Sequence, residues 1–196
     1  MTIGATLARI SEIETALNPP PPPTTSTNGA DSHFSRVLGS ASISAATPLG
    51  GGAPGVVEAA RGEIGQAEMP PGSNDSPRIA QYRSAVPGSG VGPWCAYFAS
   101  WAARQAGTPL GEHGEGFGSV GALWEWAEHS GRAIPASAGP PQPGDLIVWG
   151  GEHVGIVEAV LPDGSIRTIE GNSSDRVSQR SYGPDGGGAT GFVRLG

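Results

Sequence analysis

The sequence predicts an α+β protein, with helices from the first part of its folded region packed on an antiparallel β-sheet formed by the rest. Two patterns carry that prediction. Between residues 56 and 127 apolar residues recur at three- and four-residue steps, the period of helices with one buried face. From Asp145 onward they run in short blocks bounded by Gly, Pro, Asn and Asp, as strands do. Helices first and strands after is an α+β order, not the alternation of βαβ units.

Taken in order, residues 1–17 place Ile3, Leu7, Ile10, Ile13 and Leu17 on one helical stripe, with Arg9, Glu12 and Glu14 elsewhere on the wheel. This reads as a short amphipathic helix. It lacks the basic start and continuous apolar stretch of a secretory signal. Asn18 and the prolines Pro19 to Pro23 end it. Residues 18–54 are then mostly Thr, Ser, Gly, Ala and Pro, a composition that cannot bury enough apolar surface to offset its ordering entropy. They read as a disordered linker, and the folded domain is expected over 55–196.

Within that domain Val56, Val57, Ala60 and Ile64 predict a helix that stops before Pro70-Pro71. Pro77 to Val86 predicts a second, started by Asn74, Asp75 or Ser76. Trp94 to Gln105 predicts a third, closed by Gly107 and Pro109, and Val120, Leu123, Trp124 and Ala127 mark a fourth, closed at Gly131. Strands are expected at Asp145–Trp149, His153–Val160, Ser165–Glu170, Arg176–Tyr182 and Gly191–Leu195.

Composition narrows the function. The 196 residues include 33 Gly and 19 Pro, and carry a net charge of -7. All 11 basic residues are arginine. An acidic balance argues against nucleic acid as a partner, since binding it calls for a basic patch. No apolar run approaches the roughly 18 residues of a membrane span. A single cysteine, Cys95, can form neither an internal disulfide nor a Cys-rich zinc site.

Cys95 lies where the glycine loop Gly88–Gly92 turns into the third helix. A thiol in a helix's first turn meets unsatisfied N–H groups and the positive dipole end, which favour thiolate. The same amides can hold an oxyanion. Against this stands the plain alternative that single cysteines are commonly core residues. A nucleophilic thiol needs a base. His33 falls in the linker, His113 in a glycine-rich loop, and His129 at a helix end where the dipole accounts for it. His153 differs, because it opens a strand just after the Gly150-Gly151 turn.

That strand, the turn at Leu161–Gly164 and the next strand read as a hairpin. With a loop of two or four residues, opposed residues have numbers of opposite parity and share a face. Glu170 and Asn172 then lie on the face of His153, and either can orient the imidazole in the manner of a triad. An odd loop or a bulge would reverse this. The turn-rich run Gly171-Asn172-Ser173-Ser174-Asp175 equally suits Glu170 and Asn172 as ordinary turn residues.

Four motifs now stand in sequence: Pro93-Trp94-Cys95-Ala96-Tyr97-Phe98-Ala99-Ser100-Trp101, Pro143-Gly144-Asp145-Leu146-Ile147-Val148-Trp149, Glu152-His153-Val154-Gly155-Ile156-Val157 and Ile169-Glu170-Gly171-Asn172. Their order and spacing resemble the CHAP domain, a family of cysteine, histidine-dependent amidohydrolases and peptidases with a papain-like fold. The resemblance covers roughly 55–196. It implies Cys95 as nucleophile, His153 as base and Glu170 or Asn172 as the group orienting it, with no cofactor and no metal. It also implies a peptidoglycan substrate, cut either as an N-acetylmuramoyl-L-alanine amidase or as an endopeptidase of the stem or cross-bridge. Some members carry an acidic calcium loop, but Ser73-Asn74-Asp75-Ser76 offers a single carboxylate. Of the tryptophans, Trp94 is expected to line the substrate groove and the others to serve the core. Asn74, Tyr82 and Arg83 match positions of some family members without an evident role.

Such an enzyme works at the cell envelope, in the periplasm or outside the cell, here reached without a classical signal peptide. Residues 1–17 with their linker resemble export and docking segments of flagellar axial proteins, which makes flagellar rod or export components the expected partners. A phage-type endolysin and a non-catalytic wall-binding or assembly module are the competing readings. A zinc hydrolase finds little support, since the Glu-His pairs at 112–113, 128–129 and 152–153 fall in unrelated elements.

Overall fold

The computed structural model describes residues 53–196. The expected helix over 1–17, the linker up to residue 52 and His33 lie outside the described residues.

Helix α1 spans Pro54–Arg61, with proline at the helix start, where its missing N–H costs nothing. It buries Val56, Val57 and Ala60 but ends earlier than the apolar spacing predicts; Ile64 lies beyond it and is exposed. Of the three candidate caps for α2 (Pro77–Arg83), Ser76 takes the position, its hydroxyl accepting from the Ile79 N–H at 3.2 Å. This helix also stops short of the expected Val86. Helix α3 covers Cys95–Gln105, so Trp94 is the residue before the helix and Cys95 its first residue. Helix α4 covers Val120–His129 behind Ser119.

Six strands follow: β1 (Ala133–Pro135), β2 (Leu146–Trp149), β3 (His153–Val160), β4 (Ile166–Glu170), β5 (Ser178–Tyr182) and β6 (Gly191–Val193). They form one sheet in the order β1-β6-β2-β3-β4-β5, with every pair antiparallel. The sequence reading missed β1, a three-residue edge strand that ends on proline and is too short to show a period. Arg176 and Val177, expected in β5, precede it; Arg176 forms an isolated bridge with Ala67.

The helices cover one face of the sheet, against Leu146, Val148, Val154, Ile156 and Ile169. Ile147, Val157, Ile166 and Phe192 form a second, smaller core on the other face. With both faces covered, β2 and β3 read as nearly unbroken apolar blocks. Helix α3 lies close on the sheet because its buried residues include Ala96, Ala99, Ala102 and Ala103. Just past β4, Gly171 touches it so closely that a Cβ there would stand 2.5 Å from the Cβ of Phe98. Asp145, fully buried, accepts from Nε and Nη2 of Arg194 at 2.9 and 3.0 Å, tying the last residues to the start of β2.

The β3–β4 hairpin departs from the expected geometry twice. Val160 pairs with Ile166 across five residues, an odd number, which inverts the predicted parity. A bulge between Val157 and Ala159 then inverts it back, so Val157 pairs with Thr168 and Ile156 with Ile169. The two departures cancel, and beyond the bulge opposed residues have opposite parity, as the even-loop argument required.

Candidate active site

Cys95 reaches this site from the helix layer, at the start of α3, and is 5% exposed. Trp94 contributes no side-chain cap, so the first-turn amides of α3 are not consumed by a capping side chain. The Cys95 thiol faces the carbonyl of Glu152 with Sγ 4.0 Å from the oxygen. This places the sulfur at the turn that immediately precedes His153.

His153 is the first residue of β3, where the chain leaves the Gly150-Gly151 turn. Its Nε2 meets Oε2 of Glu170 at 2.9 Å. Nδ1 is the ring nitrogen left to serve the thiol. Glu170 ends β4, and its side chain is almost entirely buried while that of His153 is 28% exposed. The other carboxylate oxygen, Oε1, accepts from the Thr168 hydroxyl at 2.6 Å and the Tyr182 phenol at 2.8 Å. Each carboxylate oxygen thus has a defined duty: one is held by hydroxyls, the other faces the imidazole.

The electrostatics follow from these contacts. Burial pulls the His153 pKa down, but hydrogen bonding to Cys95 and Glu170, together with their negative charge, outweighs it and lifts the group to about 9. Burial alone would raise the Glu170 carboxyl; the bonds from His153, Thr168 and Tyr182 instead hold it below the ordinary glutamate value. Tyr182 is pushed well up by burial and by its bond to Glu170, so it remains a donor.

Two further residues shape the pair. Trp149, the register partner of His153 across β2 and β3, stacks on the imidazole with centroids 5.5 Å apart and also lies against Tyr182. Its indole N–H donates to the Gly186 carbonyl at 2.8 Å, which fixes the ring. At Gly155 a Cβ would stand 2.8 Å from Cγ of Glu170, so the absence of a side chain there gives the glutamate its path toward His153. Gly155→Ala is therefore expected to displace Glu170. The His153 pKa, followed by imidazole NMR, should fall from about 9 toward 6.5, and stability should drop by about 1–3 kcal/mol in urea unfolding. An unchanged His153 titration would show that Gly155 plays no such part.

The remaining candidates stand elsewhere. Asn172 adopts a left-handed backbone (φ 56°) and directs its amide to Oδ1 of Asn74 at 3.4 Å, so between the two predicted partners the imidazole bonds to Glu170. The expectation that Trp94 lines a groove is corrected: the side chain is fully buried, stacks on Tyr82 and donates its indole N–H to Glu68 at 2.9 Å. His113 and His129 are exposed, the latter meeting the Glu125 carbonyl of its own helix. Among the described residues no group of three His, Cys, Asp or Glu side chains is placed to hold a metal ion.

Sequence reasoning missed Thr168, Tyr182 and Gly155. For two of them a signal existed, since Thr168 precedes Glu170 by two residues and Gly155 follows His153 by two, which is one strand face. Tyr182 arrives through strand pairing alone.

A thiol at a helix start, facing an imidazole–carboxylate pair on an antiparallel sheet, is the arrangement of a papain-like α+β protein. Residues 87–172 match the family model described as the CHAP domain. The match contains Cys95, His153 and Glu170 but stops before Tyr182. Among solved structures, the chain is similar to an N-acetylmuramoyl-L-alanine amidase from Staphylococcus aureus, at 18% identity and a TM-score of 0.41, over 56% of this chain and 33% of that one. No curated protein matches.

Proposed function

We propose that this protein hydrolyses amide bonds in the peptides of peptidoglycan through a Cys95–His153–Glu170 thiol mechanism. The observation that carries the reading is the His153–Glu170 pair at 2.9 Å, its carboxylate buried, with Cys95 at the turn that leads into the imidazole. The CHAP family resemblance supplies the substrate class.

In this mechanism His153 holds the proton of Cys95, and the thiolate attacks the amide carbonyl carbon. The carbonyl oxygen becomes an oxyanion at the start of α3, where the Cys95 backbone N–H and the helix dipole favour negative charge. His153 then gives its proton to the leaving amine, the C–N bond breaks and a thioester remains. Water attacks the thioester while His153 takes its proton; the acid product leaves and the thiol is restored. Throughout, Glu170 keeps the proton-bearing Nε2 directed to itself and Nδ1 toward the sulfur.

Purified peptidoglycan digested with the wild-type protein, with products read by mass spectrometry, tests this directly. Soluble fragments with a newly formed amine and carboxylate are expected. Free lactyl carboxylates on muramic acid identify an amidase, and new peptide termini an endopeptidase. Undigested peptidoglycan, with protein that remains folded, would overturn the proposal.

A further inference from the structure

One buried carboxylate has no part in the reaction above. Glu68 is 5% exposed, yet both of its oxygens are engaged by donors from different segments. Oε1 accepts the indole N–H of Trp94 at 2.9 Å, and Oε2 accepts the backbone N–H of Asn74 at 2.8 Å. Trp94 directly precedes Cys95, and its carbonyl accepts the Phe98 N–H at 2.9 Å in the first turn of α3. The bond to Glu68 is thus anchored one residue from the thiol.

The other ties of this segment lead to the sheet. The Glu68 backbone N–H donates to the Asp175 carbonyl at 2.9 Å, and Ala67 bridges Arg176. Asn74, whose backbone is left-handed at φ 55°, meets Asn172, two residues past Glu170. Glu68 therefore stands where the residue preceding the nucleophile meets the turn that follows the acid's strand.

We propose that Glu68 is a positioning residue: its carboxylate locks Trp94 and thereby sets Cys95 against the His153–Glu170 pair. The chemistry of the contact explains the residue type. Both partners are donors, so both oxygens must accept. A carboxylate does this, whereas a carboxamide accepts at one end and presents N–H against N–H at the other. Two hydrogen bonds also offset part of the cost of burying this polar group. The proposal rests on the thiol reading of the site, and its test is chosen to be independent of the substrate.

The test compares the full chain with Glu68→Gln, Trp94→Phe and the double variant. Thermal unfolding checks the fold, and the rate of Cys95 alkylation by iodoacetamide across pH reports the thiol–imidazole pair without any peptidoglycan. Each single variant is expected to unfold cooperatively and to alkylate with a shifted pH profile, at a rate lower by about tenfold or more at its optimum. Because both substitutions break the same bond, the double variant should be no slower than the slower single one. Trp94→Phe keeps an aromatic ring in place and decides the matter should Glu68→Gln fail to fold. Folded variants with the wild-type alkylation profile would overturn the proposal, and so would additive losses in the double variant. A wild-type protein that shows the expected alkylation profile but leaves peptidoglycan intact would sink the hydrolase reading while leaving this one standing.

Discussion

Cys95→Ala is expected to release no measurable fragments from peptidoglycan, a loss of at least about 10⁴-fold in kcat, because no neighbouring group can replace the nucleophile. The variant should still fold: it exchanges one small apolar side chain for another at the edge of the main core. Its second signature is electrostatic. Cys95 heads the influences that raise His153 against the lowering effect of burial, so removing the sulfur should bring the imidazole pKa down from about 9. Fragment release at the wild-type rate would remove Cys95 from the mechanism. An unchanged His153 titration would remove the thiol–imidazole contact from it.

The second large effect is expected at Glu170. Glu170→Gln keeps the shape but removes the charge that pairs with the imidazolium and makes the imidazole's tautomer ambiguous. A loss of about 10²-fold or more in kcat should follow, with KM little altered. Stability should respond to pH as well. The folded-state pKa of His153, about 9, lies above its unfolded value of about 6.5, so protonation favours the folded state. That contribution, on the order of 3 kcal/mol, is fully present below pH 6.5 and is lost as pH rises through 9. Glu170 acts in the opposite sense: its lowered pKa supports the fold above the ordinary glutamate range and is lost on acidification. The two descriptions concern one interaction and are not summed. Urea unfolding from pH 6 to 10 should show the alkaline decline in the wild type and a shallower one in Glu170→Gln. Equal slopes would show that the pair does not couple to folding.

How far the site is legible in the sequence depends on whether its parts are local. The place of Cys95 is local: a glycine loop followed by a helical stripe puts the residue in a first turn, and the structure finds it there. His153 is equally local, since a diglycine turn before an apolar block marks the strand start. The relation of His153 to Glu170 is not, because it depends on hairpin register. The even-loop argument reached the correct face although its premise fails, since an odd loop and a bulge both occur and offset each other. Neither the bulge in the eight-residue β3 nor the turn that follows it leaves a pattern in the sequence. Trp94 shows the converse difficulty: its identity says little about direction, and its buried ring packs on Tyr82 and Phe98 and donates to Glu68, 26 residues away. Tyr182 reaches Glu170 across the pairing of β4 with β5, in a strand whose residues Ser-Gln-Arg-Ser-Tyr have no apolar period. Fold class is legible from the order of helical and strand periods; β1 is lost because three residues hold no period.

The bulge in β3 has a consequence for how this sequence can change by insertion and deletion. Its extra residue, Glu158, is itself buried and is gripped by Arg61 from α1, Arg167 from β4 and Gln179 from β5 at 2.7–2.9 Å. Losing one residue from the 161–165 turn would leave the bulge uncompensated and send the base and its acid to opposite faces of the sheet. Losing Glu158 alone would do the same, whereas losing both together would restore the pairing with a four-residue loop. Turn length and bulge thus form a linked pair of length changes, in which a neutral history requires the two to occur together. The alignment of the reacting groups at one end of β3 is kept by an acidic clamp at the other, among residues that take no part in the chemistry.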